Sequence, residues 1–252
     1  MKKILVFILW LFFLSNNQAI SKDNSYRKFQ SYANPLFFPW TCDEEFLRID
    51  NSFPVENQNL LFKEGRYLQY KLSKLAAKIP EGDFIELGVF KGKSIDIFAS
   101  VLDLYDCSNK EIYGVDSFEG LAEPNEDDID VRTNSPFFKK GGLKGFSKNT
   151  IYGYLSKHKC KIHLVKGWIP NVLQDLEEKR FSFVHIDVDL FQATYDSLEF
   201  VYPRLVKGAV VLFDDYGFPM CIGARKAIDN FMSDKQEVLI PIPTGQAFFI
   251  KQ

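Results

Sequence analysis

Four aspartates close two short apolar runs. In FVHIDVDLF, residues 183–191, Phe183, His185, Asp187 and Asp189 share one parity of an extended chain, while Val184, Ile186 and Val188 share the other. In GAVVLFDDYG, residues 208–217, Asp214 and Asp215 follow an equally apolar stretch. Strands of a parallel sheet run apolar on both faces, and an isolated carboxylate is expensive to bury unless its charge is compensated. If the two runs are neighbouring strands, four carboxylates converge, and their repulsion raises their pKa values unless a cation is present. An all-oxygen donor set without His or Cys suits Mg²⁺ or Ca²⁺ rather than zinc. Mg²⁺ also keeps several waters, which leaves positions for substrate oxygens. The alternative for Asp214 or Asp215 is a cap on the turn that follows. His185, alone in an apolar strand, reads as a hydrogen-bonded core residue.

The elements that must carry these acids are legible as an alternation. Apolar residues at helical spacing predict a helix over 61–78, stopped by IPEG at 79–82. Strands are expected at 83–89, 111–116, 161–168, 181–189 and 208–217. Helices are expected at 93–105, 194–205 and 223–232, and an antiparallel hairpin around Pro-Thr-Gly closes residues 237–252. Such alternation predicts an α/β doubly wound, mostly parallel sheet, whose ligands bind beyond the carboxyl ends of the strands.

The first of those ends reads ELGVFKGKS. Gly88 and Gly92 allow close backbone approach, and a helix starting near Ser94 offers free N–H groups to an anionic group, with Glu86 beside it. A tight strand-to-helix turn would also account for the glycines. The second end, GVDSFEG, places Asp116 where dinucleotide-type folds keep an acid for ribose hydroxyls, an N-cap being the alternative. Together the two ends form a nucleoside-binding constellation. Between them and the third strand, residues 120–150 carry five acids from Glu123 to Asp130 and then a Lys/Gly-rich stretch. A loop this long in a compact domain suggests a lid over a site.

With 252 residues, 46% of them hydrophobic, the chain suffices for one large α/β domain. Its 31 basic and 33 acidic side chains leave a net charge of −2 without a basic stripe, which excludes nucleic acid as an expected partner. Four scattered cysteines with no C-x-x-C pair argue against zinc and against a disulfide framework, so they are expected to be mostly buried thiols. Residues 1–21 resemble a secretory signal: Lys2 and Lys3, an apolar run over 4–14, and a small-residue site ending at Ser21. That run is short for a membrane span but could touch a membrane surface. Residues 22–60 look like an irregular arm with short helices, ahead of a main domain over 61–252.

GDFIELGVFKGKS, YGVDSFEGL, VKGW, HIDVDLFQAT with LE and YPRL after it, and GAVVLFDDYG occur here in the order found in the macrocin O-methyltransferase (TylF-type) family. The chain resembles that family from about residue 60 to its C-terminus. The resemblance implies a Rossmann-like class I methyltransferase fold, with a seven-stranded, mostly parallel sheet, a C-terminal antiparallel hairpin and helices on both faces. It implies S-adenosylmethionine and Mg²⁺ as cofactors and a hydroxyl of a sugar or similar diol as acceptor. By position, Asp187, Asp214 and Asp215 match the family's metal ligands and Asp189 its general base. Glu86, Gly88, Asp116 and Ser117 match its cofactor motifs, and Trp168 falls near the expected adenine side. A homodimer is also implied.

Departures from the family pattern are FKGK at 90–93 in place of a WRGG-like turn, and Phe191 and Ala193 in place of Tyr and Ser. They bear on substrate identity more than on chemistry, since the acids are retained. A nicotinamide-dependent oxidoreductase is the enzymatic rival, but it calls for a G-x-G-x-x-G turn that is absent and gives the acids no role. The rival from another class is a non-catalytic, exported binding module, favoured by residues 1–21. Because S-adenosylmethionine is made inside cells, the expectation is a cytoplasmic catalytic domain.

Overall fold

The computed structural model describes residues 38–53, 62–107 and 109–252. The signal-like segment 1–21, its apolar run 4–14, and residues 22–37 and 54–60 of the expected arm lie outside the described residues. The chain forms two units, Met1–Thr41 and Cys42–Gln252. Of the first, a short 3₁₀ turn over Pro39–Thr41 is described. The second begins earlier than the expected domain start at residue 61. It takes in helix α1 (Glu44–Asn51), whose N-cap Asp43 accepts a hydrogen bond from Phe46 N at 3.0 Å.

Among the described residues, six helices and seven sheet strands follow the alternation. The helices are α1, α2 (Lys63–Ala77), α3 (Lys93–Leu104), α4 (Lys148–Leu155), α5 (Phe191–Val201) and α6 (Ile222–Met232). The strands are β1 (Asp83–Leu87), β2 (Glu111–Asp116), β3 (Lys161–Lys166), β4 (Phe181–Ile186), β5 (Leu205–Phe213), β6 (Ile240–Pro241) and β7 (Ala247–Ile250). Their order is β3-β2-β1-β4-β5-β7-β6. The first five are parallel, and β7 runs antiparallel to both β5 and β6.

Both faces of the sheet are covered, which is why its central strands carry apolar residues on both parities. Ile85, Leu87, Val184, Ile186, Val211 and Phe213 pack with Leu198 and Val201 of α5 and Ile228 of α6. On the opposite parity Phe183 packs tilted against Phe84 and edge-to-face against Phe98 of α3, with ring centroids 5.1 and 4.9 Å apart. The strand order reverses between β1 and β4, the switch point at which such sheets bind ligands. Among the described residues no helix is long and apolar enough to cross a membrane. Cys160 and Cys221 are buried, Cys107 is half-buried and Cys42 is exposed, so burial holds for only two of the four cysteines.

Three boundaries differ from the sequence expectation in ways that matter for the site. Strand β4 ends at Ile186, and β5 spans Leu205–Phe213, so all four acids stand just past the ladders. Helix α5 begins at Phe191 and ends at Val201, before Pro203, which lacks the N–H a helix interior needs. The expected lid over 120–150 holds a 3₁₀ turn at Glu126–Asp128 and a two-residue ladder pairing 129–130 with 135–136. It also runs into α4, whose N-cap Ser147 accepts from Thr150 N.

Candidate active site

Strands β4 and β5 pair in register from Phe183↔Val210 to Ile186↔Phe213, so their acid tips emerge side by side. Asp214 N still donates to Ile186 O at 3.0 Å, and Asp187 N to Leu87 O at 2.9 Å. Beyond Asp187 the chain stops being extended. Leu190 N donates to Val188 O at 2.7 Å and Asp189 has φ +62°, so Asp189 sits at the centre of a γ-turn, a strained conformation for a side-chain-bearing residue. Asp187 and Asp189 therefore do not share a pleat face as their parity predicts; the turn, not the pleat, aims Asp189. Asp215 holds this turn, its Oδ2 accepting from Asp189 N at 2.9 Å.

The acids sort into two groups. Asp187 and Asp214 bring carboxylate oxygens together with a ring nitrogen of His185, and Asp189 and Asp215 cluster with Cys221 Sγ, the atoms of each group lying within 4.8 Å of one another. Asp214 and Asp215 are buried, whereas Asp187 and Asp189 are half-buried and can be reached from outside. Burial, then the neighbouring carboxylates, raises Asp187 and Asp189 well above the usual carboxylate range. Burial and Asp214 push Asp215 up to about 7, against the relief given by the Asp189 N–H, Cys221 and His185.

What compensates this charge internally is limited. No Lys or Arg among the described residues pairs with any of the four acids. His185 is fully buried, with Nδ1 2.9 Å from Glu86 Oε1 and Nε2 3.5 Å from Asp214 Oδ1. Burial alone would lower its pKa, but the carboxylates of Asp214 and Glu86 on its two nitrogens raise it to about 9. Gln246 Nε2 donates to Asp214 Oδ1 at 2.6 Å and Gln69 Nε2 to the same oxygen at 3.4 Å. Cys221 is pushed up by burial and by the acids, so its thiol stays protonated. It donates to Asp189 Oδ1 at 3.6 Å and Asp215 Oδ1 at 3.5 Å. One imidazolium, two amides and a thiol do not offset four carboxylates. The remaining hard oxygen donors fit a divalent cation of the Mg²⁺ type.

On the neighbouring side, the residues expected to bind a cofactor divide. Glu86 is buried, its pKa raised by burial against the pull of His185 and Ser94, and its Oε2 has no hydrogen-bond partner. An orphaned, buried acceptor at a strand end fits a site for a polar ligand. Gly88 (φ +91°) has a clear reason to be glycine: a Cβ there would stand 1.8 Å from Asp187 O. A Cβ at Gly92 would stand 2.8 Å from Ile151 Cγ2, so that glycine admits α4. Asp116 Oδ2 accepts from Val89 N at 2.8 Å and Phe90 N at 3.0 Å, and its Oδ1 from Phe118 N at 2.6 Å. Ser117 closes its own turn, donating to Gly120 O and accepting from Glu119 N. Trp168 is 39% exposed just past β3. Thus β1 and β2 meet through an Asp116 that staples their two turns.

The sequence does not mark Gln69, Gln246 or Cys221 as site residues. Gln69 lies between Leu68 and Tyr70 on α2, where nothing distinguishes it. Gln246 carries a faint signal, as a polar residue opening the apolar run AFFI.

Residues 66–246 match the model of the family described as Macrocin-O-methyltransferase (TylF). The 8-demethyl-8-(2,3-dimethoxy-alpha-L-rhamnosyl)-tetracenomycin-C 4'-O-methyltransferase of Streptomyces olivaceus is 28% identical over 170 residues, 65% of this chain and 63% of that protein. The mycinamicin III 3''-O-methyltransferase of Micromonospora griseorubida is 26% identical over 155 residues, 60% of each chain. The matched stretch thus spans less than two thirds of these relatives. Among solved structures, the O-methyltransferase NovP superimposes with a TM-score of 0.65 at 19% identity, over 81% of this chain and 88% of that one. The calicheamicin methyltransferase CalS11 does so with 0.66 at 21%, over 91% and 93%. The fold is the Rossmann-like α/β fold of class I O-methyltransferases.

Proposed function

The chain belongs to the macrocin O-methyltransferase (TylF) family, and on that premise we propose that it moves the methyl group of S-adenosylmethionine to a hydroxyl of a sugar or similar diol. Asp189 is the general base in this reading, and Asp187, Asp214 and Asp215 hold a Mg²⁺-type cation. The observation that carries it is the convergence of four carboxylates, in two adjoining groups past two adjacent strands, with no Lys or Arg among the described residues to pair them. The name of the Streptomyces olivaceus relative, an O-methyltransferase of a rhamnosyl-bearing molecule, supports the acceptor class.

When bound, the cation supplies positive charge that offsets the acids and makes an acceptor hydroxyl easier to deprotonate. S-adenosylmethionine supplies the electrophile, a sulfonium methyl group. Asp189, half-buried and reachable, accepts the hydroxyl proton as the new O–C bond forms and the S–C bond breaks. Asp215 keeps the Asp189 turn in place, and His185, Gln69 and Gln246 orient Asp214. Glu86 lies on the methyl-donor side of the same His185. Holding both reactants in one crevice supplies much of the remaining acceleration. With this donor, the domain works inside cells.

The test is Asp189→Asn in the full chain, assayed against a panel of sugar and diol acceptors by the mass gain of one methylene. Turnover should fall by roughly 10²–10⁴-fold, while calorimetric binding of S-adenosylmethionine stays near wild type. Full activity in that variant removes Asp189 from the role. No methyl transfer by the wild-type chain to any acceptor, despite donor binding, favours a binding module instead.

A further inference from the structure

Among the acids between Glu123 and Asp130, Asp128 is buried, at 6% exposure. Its Oδ2 accepts from Asn125 N at 2.9 Å, completing a capping box within its own turn. Its Oδ1 accepts from Phe191 N at 2.8 Å. Phe191 opens α5, and the residue at that helix's N-cap is Leu190, whose side chain cannot cap. Asp128 supplies the missing acceptor from 63 residues earlier in the chain.

A second contact shows that this approach is built in. Gly223 lies in the first turn of α6, and a Cβ there would stand 1.8 Å from Asp128 Oδ1. One turn further along α6, Lys226 Nζ donates to Asp127 O at 2.8 Å. The acidic turn therefore docks on the N-termini of the two helices that leave the acid-bearing strand ends.

We propose that Asp128 is a positioning residue that caps α5 from a distance and thereby fixes the γ-turn presenting Asp189, with the 125–128 segment held as a fixed wall beside it. The role in catalysis rests on Asp189 being the base. Three successive amides are held by three separate anchors: Asp189 N by Asp215, Leu190 N by Val188 O, and Phe191 N by Asp128. A strained turn persists only where its surroundings over-determine it. The free N–H groups at a helix start, with the positive end of its dipole, favour a carboxylate there. Removing one anchor of three loosens the turn without dismantling the core.

The test compares Asp128→Ala, Asp128→Asn, Gly223→Ala and the Asp128→Ala/Gly223→Ala pair in the full chain. Amide exchange over residues 187–193 is followed by mass spectrometry, alongside kcat and both KM values. Asp128→Ala should speed exchange there by roughly three- to thirty-fold, the range expected for a lost cap. It should also lower kcat while leaving the KM for S-adenosylmethionine unchanged. Asn keeps an acceptor for Phe191 N and should recover most of the loss. Gly223→Ala evicts the carboxylate and also sets a Cβ 2.9 Å from Phe191 N, so it should speed exchange at least as much as Asp128→Ala, and adding Asp128→Ala to it should change little further. Unchanged exchange over 187–193 in Asp128→Ala, or faster exchange with kcat and KM untouched, overturns the proposal. If Asp128→Ala fails to fold, Gly223→Ala decides the question by the same measurements. If the wild type proves inactive, the function reading has failed, and exchange alone still decides whether Asp128 holds the turn.

Discussion

Asp116 and the acid group at 187–215 occupy equivalent places, each just at or past the carboxyl end of a parallel strand, yet they are treated in opposite ways. Asp116 accepts three backbone N–H groups from two turns, so its charge is spread over fixed dipoles of its own chain. Asp187, Asp189, Asp214 and Asp215 face one another, with one imidazolium and a few neutral donors between them. The difference lies in the supply of donors. The turn after β1 points its amides at Asp116, whereas the β4 and β5 tips point acids at acids. The first arrangement is self-sufficient and builds the fold; the second leaves acids facing acids, with their pKa values raised.

The largest effect that would sharpen this contrast is on Asp116. Asp116→Ala strands three amides and should lower folding stability by on the order of 2–4 kcal/mol, seen in urea unfolding, with Mg²⁺ binding retained by what still folds. A variant as stable as wild type would show that the staple is dispensable.

Next comes the cation. At a concentration a hundred times its dissociation constant, Mg²⁺ should stabilise the wild type by about 2.7 kcal/mol, and Asp187→Ala should abolish that gain in thermal melts. An equal gain in both proteins would place the ion elsewhere.

A smaller effect is the pH dependence of the metal-free protein. Asp187, Asp189 and Asp215 have raised pKa values, so the folded state holds protons that the unfolded chain releases. Stability then falls as pH rises from the ordinary value of 3.8 through the value of about 7 for Asp215. His185, raised from 6.5 to about 9, contributes stability below 6.5 that is lost as pH approaches 9, in the same direction. Melting temperatures in EDTA should therefore drop between pH 5 and 7.5, and Mg²⁺ should flatten the slope. A rise over that range would contradict the charge balance described for the acid group.

The smallest effect separates the acid from its backbone. Asp189→Gly removes both a repelled carboxylate and the strain of a positive φ, so the melting temperature should stay level or rise slightly while turnover is lost. A marked loss of stability would mean that the Asp189 side chain holds its own turn.

Much of the frame is legible in the chain itself. EIYGVD at 111–116 has a buried, mainly apolar centre between two acids, and β2 spans those same six residues. The acids at 187–189 and 214–215 are marked by their place after apolar runs. Other features leave no local trace. The γ-turn at Asp189 depends on Asp215, 26 positions away, and Asp128 looks like one more solvated acid in a polar loop. Gln69 and Gln246 meet Asp214 from an α-helix and from the hairpin connection just before β7, which no short motif connects.

Sequence alone determined the alternation of strands and helices, because buried strands and amphipathic helices each carry their own period, and it determined which acids stand at strand ends. Tertiary structure alone decided what those acids do. A carboxylate's role depends on the donors within a few ångströms of it, and here those come from residues tens of positions away. Asp116 received three such donors and became a staple; the acids of β4 and β5 received mainly one another.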